Sequence, residues 1–283
     1  MSEQWQVEGP KVIEVGGDEE PVLGLTVSIV GGRVDVLAHD PADGSGATVE
    51  VSEVSGSALT VRWDGRKLSI HQGADTWESL RRLVGGHSDR AVVSVSVPST
   101  AATKVNTVSA AAVVSGLRAD LRVNTVSGTL TVSDVVGSTS VNTVSGAAEC
   151  SGLRGSAKLN TVSGGITMHT SEVPTAAVNT VSGEVVLDLL NGAADVSSSS
   201  VSGDVTIRLP FSGYAVRATS LSGQVVVDGQ QLQRRSARDG ASLREGDESL
   251  QLKTSSVSGN VVVLRRAEAA GPQDSVPYPQ DAR

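Results

Sequence analysis

The residues in this chain whose types could do chemistry are few. His39, His71, His87 and His169 could act as general bases or metal ligands. None has a second His or a Cys at ligand spacing, and no HExxH occurs. His39-Asp40 is a lone dipeptide at the end of a strand pattern and reads as a surface pair. Cys150 would need thiolate character to be a nucleophile. It falls in an alternating apolar column with Val132 and Met168, which makes it a small core hydrophobe. Asp188 and Asp204, in neighbouring repeats but at different repeat positions, are the nearest approach to the paired carboxylates of acid–base catalysis. Recurring Val-Ser-Gly triplets supply many serines, but at structural positions that suit backbone bonding, not a nucleophile. There is no GxSxG, P-loop, GxGxxG or calcium-binding GGxGxD run. No catalytic, cofactor-binding or metal-binding residue is therefore expected.

The elements that would have to position such residues are much clearer. One hexapeptide recurs: Val105–Ala110 (VNTVSA), then VNTVSG ending at Gly128, VNTVSG at Gly146, LNTVSG at Gly164 and VNTVSG at Gly183. Looser copies end at Gly203, Gly223 and Gly259. The serines before these positions are spaced 18, 18, 18, 19, 20, 20 and 36 residues apart, the last being two repeat lengths with an insertion. A short, regular period means a stacked, one-dimensional architecture. After each marker, apolar residues fall at +2 (Leu130, Ile166, Val185) and +4 (Val132, Met168, Leu187). Before it, Leu121 and Val123 flank Arg122, and Ala157 and Leu159 flank Lys158. Both are strands with one buried face.

The two strand patterns differ in phase. Val126, not Thr125, carries the apolar series on towards Leu130, so a bend is expected at Asn124-Thr125. Further corners are expected near Ser115-Gly116, Ser151-Gly152 and Asn191-Gly192. The expected fold is all-β: a single-chain parallel β-solenoid (β-helix) of about eight coils of 18–20 residues with an N-terminal β-rich cap. Each strand would pair with its copy one coil along. Asn106, Asn124, Asn142, Asn160 and Asn179 would then stack, and side-chain amides in a column can bond end to end. The plainer alternative is that Asn simply tolerates the turn. The glycine column would allow close backbone packing.

Residues 1–98 lack the hexapeptide and are expected to form a β-rich capping region continuous with the solenoid. Two hairpins are expected there, across Gly31-Gly32 and across Asp64-Gly65-Arg66, along with a helix over 75–84. Residues 99–266 form the solenoid, with an insertion at 230–248 that reads as a solvated loop or a partner-binding one. Residues 267–283, with Pro272, Pro277 and Pro279, read as a disordered tail.

Composition bounds the partners. Net charge is −8, and aromatics make up only 2%. An acidic chain with little to stack on bases argues against nucleic acid. A single cysteine excludes an intramolecular disulfide. The first twenty residues are acidic, unlike a secretory signal, and no apolar run reaches membrane-spanning length. The expectation is a cytoplasmic protein, with association with the cell envelope as the alternative.

The NTVSG units, VSVSVP at 93–98 and the opening WQVEGPKVIEV resemble the bacterial putative-adhesin β-strand-repeat family, also called toast-rack, over roughly residues 20–265. The resemblance implies a β-helical fold and a binding or scaffolding role at or near the cell envelope, with no catalytic residues to carry over. The expected function is thus a non-enzymatic, adhesin-like binding or scaffold protein presenting a rigid Ser/Thr-rich surface to a protein or a cell-envelope glycan. The alternatives are a carbohydrate-active or acyl-transfer enzyme on a β-helix, and ice binding through an aligned threonine column (Thr107, Thr125, Thr143, Thr161 and Thr180).

Overall fold

The computed structural model describes residues 2–73, 89–191, 194–210, 213–232, 241–245 and 250–266. The expected helix at 75–84, most of the 230–248 insertion and the 267–283 tail lie outside the described residues. Those described form an all-β structure with mostly parallel strands, plus one short 3-10 turn at Pro41–Asp43. None of their helices is long and apolar enough to cross a membrane.

Each repeat lays one strand in each of two sheets. In the first sheet Ala102–Thr107, Leu121–Thr125, Thr139–Thr143 and Arg154–Thr161 follow in parallel, with Asn124 opposite both Asn106 and Asn142. In the second, Ala111–Ser115, Leu130–Ser133 and Ala148–Ser151 do the same. The long strand Ile166–Thr180 belongs to both, its start pairing in the second sheet and its end in the first. Burial alternates residue by residue: Leu121 and Val123 face in, while Arg122 and Asn124 face out. The inner columns of both sheets merge into one hydrophobic cluster running from Val7 to Val263. Each fully buried Val or Leu adds about 1.5–3 kcal/mol, so stacked small residues substitute for aromatics. A short third side closes several coils. There Leu117, Val135, Leu153 and Val173 are buried, and Val136 bridges Arg154 in parallel.

The corner after the first-sheet strand lies one residue later than the phase argument places it. Thr125 is 5% exposed and Val126 is 45% exposed. The threonine faces in because its hydroxyl accepts the backbone N–H three residues on: Gly128 donates to Thr125 at 3.2 Å, Gly146 to Thr143 at 3.0 Å and Gly183 to Thr180 at 2.9 Å. A threonine here satisfies a buried amide while still burying its methyl group, which a valine at that position could not do. The exposed threonine array that ice binding would need is thus an interior column. The second corner matches expectation at Ser115-Gly116 and Ser151-Gly152, while Gly192 of the third expected corner lies outside the described residues: Gly116 (φ 82°), Asp134 (φ 54°), Gly152 (φ 62°) and Thr170 (φ 49°) turn through the left-handed region.

Both ends depart from simple sequential stacking. The Gly31-Gly32 turn is not a hairpin. Gly24–Ile29 lies in the first sheet against Lys67–Gln72 and Ala102–Thr107, and Gly31–His39 lies in the second against Arg90–Pro98 and Ala111–Ser115. The reason is that Leu25, Val27, Val34 and Val36 are all fully buried, which a flat hairpin could not achieve. The Leu59–Trp63 and Lys67–Gln72 hairpin is present and antiparallel. At the other end, Leu250–Ser256 and Val261–Arg265 sit between Ala194–Ser200 and Val205–Leu209 on one side and Tyr214–Ser220 and Val225–Val227 on the other. Within the insertion, Gln230–Gln231 and Ala241–Glu245 run antiparallel to their neighbours. Antiparallel strands flank the parallel stack at both ends, since Glu3–Val7 also pairs antiparallel with Leu59–Trp63. Such strands relieve the raw parallel edge that invites aggregation.

Glycine is imposed at the first corner by the coil spacing. A Cβ on Gly164 would lie 2.0 Å from the Gly146 carbonyl oxygen, whereas one on Gly165 would meet nothing closer than the Glu184 carbonyl oxygen at 3.8 Å. Chemical unfolding should therefore find Gly164→Ala destabilised by about 2–3 kcal/mol and Gly165→Ala within about 0.5 kcal/mol of wild type.

Candidate binding face

The outward columns of the first sheet run in register along the stack. The Asn column is a hydrogen-bonded ladder. Asn124 donates to Asn106 at 2.9 Å, Asn142 to Asn124 at 2.9 Å, Asn160 to Asn142 at 2.8 Å and Asn179 to Asn160 at 2.9 Å. Asn106 continues it by donating to Ser28 at 3.0 Å. Beyond Asn179 the column becomes Ser199 and Ser255, whose hydroxyls are 3.4 Å apart. A stacked amide donates up and accepts down, so the ladder locks the register of the outer face.

Two residues before each ladder position runs a second column. Strand register places Arg62, Ser69, Thr26, Lys104, Arg122, Ser140, Lys158, Ala177, Ser197, Lys253 and Arg217 one above another. It holds Arg62, Lys104, Arg122, Lys158, Lys253 and Arg217 and no acid, in a chain of net charge −8. None of these bases has an ion pair among the described residues. On the second sheet and its edges, by contrast, Arg33 sits on Asp35, Arg208 and Arg266 on Asp188, and Arg265 on Asp228. Acids gather elsewhere too: Glu3, Glu14, Asp18, Glu19 and Glu20 line a hollow beside Trp63 at the N-terminal end.

Midway along the cationic column lies a shallow depression of about 330 Å³, lined by Ser138, Ser156, Lys158, Thr175, Asp195 and Ser197 among others. On the adjoining corner the outward valines form a ridge: Val126, Val144, Val162, Val181, Val201, Val257 and Leu221, between 45% and 61% exposed. The serine after each ridge residue donates to the ridge carbonyl one coil away, as Ser145 does to Val126 at 3.1 Å. That bond occupies the hydroxyl as backbone capping.

The residues that could do chemistry lie apart. His39 bonds Ser96 and the Gly44 carbonyl, each at 3.1 Å, while Asp40 accepts the Ala42 N–H, so the two do not pair with each other. His169 faces Glu149 at 3.2 Å on the exposed second sheet. His71 lies in the Lys67–Gln72 strand, and His87 is outside the described residues. Asp188 accepts from Arg266 at 2.6 Å, and Asp204 accepts the Asn260 N–H at 2.7 Å, so the structure does not bring the two together. Asp228 takes hydrogen bonds from Tyr214 and Arg265. Burial pushes its carboxyl up, but those bonds outweigh burial and hold it below its ordinary value. Among the described residues, no group of three His, Cys, Asp or Glu side chains could hold a metal ion.

Lys104, Arg122 and Lys158 all stand two residues before the Asn, so aligning the repeats on their markers exposes half of the cationic column. Arg62 joins it only through a strand running the other way, and Lys253 only through the displaced final coil.

Two outcomes follow. Asn142→Ala breaks two ladder bonds and should cost about 1–3 kcal/mol, while Asn179→Ala, which removes the ladder bond to Asn160, should cost about half as much in the same unfolding assay. Cys150 is fully buried, and burial pushes its thiol up to about 12. The unfolded thiol ionises near its ordinary value, so above that pH the native state holds the extra proton and stability falls as pH rises towards the native value. A thiol reagent at pH 8 should label Cys150 only after denaturation, and Cys150→Ala should flatten the alkaline arm of the stability profile.

No curated protein matches the chain. Similar solved structures include a "putative cell adhesion protein" from Clostridium sporogenes, 11% identical, covering 91% of this chain and 100% of that one with a TM-score of 0.29. Two from Parabacteroides distasonis are each 15% identical. A "putative lipid binding protein" covers 89% of this chain and 96% of that one (TM-score 0.44), and a "putative adhesin" covers 94% and 97% (TM-score 0.43). The Toastrack DUF4097 family model matches residues 34–264, most of the length over which the strands stack, and the chain belongs to that family.

Proposed function

We propose that the chain is a non-enzymatic, adhesin-like binding or scaffold protein that works at the bacterial cell envelope. In this reading about eight coils of 18–20 residues form a rigid rod, and residues 1–98 cap one end of it. The observation that carries the reading is the outer face of the first sheet. Its columns run in register from the antiparallel strands at one end to those at the other, and the amide ladder along it holds the side chains in fixed rows. Rigid rows of side chains recognise repetitive ligands without paying a large ordering entropy on binding. Family membership supports the same reading.

Sedimentation of the full chain with bacterial envelope fractions tests it. Saturable co-sedimentation, displaced by unlabelled protein, is the expected result. A chain that stays in the supernatant at every envelope load is not an envelope-binding protein.

A further inference from the structure

We propose that the outer face of the first sheet binds an extended acidic glycan, a sugar polymer bearing spaced carboxylate or phosphate groups, laid along the column from Arg62 to Arg217. This rests on the binding-protein reading and names its ligand.

Charge comes first. A protein of net charge −8 repels polyanions unless it segregates its bases, and here it does. With coils about 4.8 Å apart, the column spans about 48 Å. Its exposed bases have no carboxylate partner among the described residues, so their charge faces solvent. Charges in one file fit a linear polymer better than a membrane. A lipid surface also needs large apolar side chains that enter it, yet the columns on either side of the bases offer Asn, Ser, Thr, Ala, Gly, Asp and Gln, with His71 and Lys67 near one end. The valine ridge stands beyond the ladder, on the next corner.

The depression then selects sugar over a bare polyanion. Asp195 and Asp120 border the column and would repel a continuous line of charge, but each carboxylate can accept a sugar hydroxyl. Ser138, Ser156, Thr175 and Ser197 add groups that both donate and accept, and Lys158 supplies the cation between them. At about 330 Å³ the hollow is at the small end of ligand sites. Nucleic acid is disfavoured, because the column and the rows on either side of it carry no large aromatic to stack on a base, His71 at the head of the ladder row being the one ring present.

Biolayer interferometry on the intact chain tests this with alginate as the carboxylate probe, a glycosylated glycerol-phosphate polymer as the phosphate probe, and neutral dextran, single-stranded DNA and anionic vesicles as comparators. The expected result is binding to one or both charged glycans, weakening at least tenfold as sodium chloride rises from 50 to 300 mM, and none to dextran. R122Q/K158Q should lose at least tenfold, while the charge-matched R33Q/R208Q on the second sheet stays within twofold. Thermal melts of each variant confirm that the fold is kept. The ligand assignment is overturned if neither charged glycan binds, if R122Q/K158Q binds like wild type, or if DNA or vesicles bind as tightly. If envelope sedimentation persists in any of those cases, the binding role survives and only the ligand is wrong. If envelope binding is also absent, both fall.

Discussion

The repeat region of this molecule follows from parallel, in-register pairing of each strand with its counterpart one coil away. That pairing fixes a spacing of about 4.8 Å between equivalent residues, and every column must then tolerate its own repetition. Valine and leucine do so inside by packing on themselves. Asparagine does so outside by bonding to itself. Glycine does so at the corner because the neighbouring carbonyl oxygen leaves no room for a methyl. Like charges tolerate it only where solvent can screen them, which is why the basic column faces outward.

The same constraint explains how much was legible in the sequence. Period and phase reveal the stacked parallel strands, the buried columns, the amide ladder and the tight glycines, because each is a local pattern copied many times. Orientation at the corner was misplaced by one residue. Val126 looks like core, but at this corner the Thr125 hydroxyl satisfies the Gly128 amide while its methyl group is still buried. Hydrophobicity alone does not weigh an unsatisfied N–H. The Gly31-Gly32 turn failed for a related reason: a hairpin and a corner use the same residues, and only the shared interior distinguishes them.

The binding face was half legible. Lys104, Arg122 and Lys158 hold one repeat position, but their meaning depends on Lys253 and Arg217 continuing the row, and that depends on strand order. Some of the acids that neutralise other bases also come from distant segments, as Asp188 does for Arg266. Charge segregation is a property of the assembled surface, and the excess of acids over bases along the chain conceals it.

Strand order at the ends has a consequence of its own. The coil built from residues 250–265 lies inside the one built from 214–227, so winding order and synthesis order part company. A nascent chain that has reached Gln231 has Tyr214–Ser220 in hand, while the neighbour open to it, Ala194–Ser200, is reserved for Leu250–Ser256. That segment must either wait or be displaced when the final strands emerge. The stack therefore closes only once residues 250–265 have left the ribosome, and loss of that segment would strip away two layers instead of one.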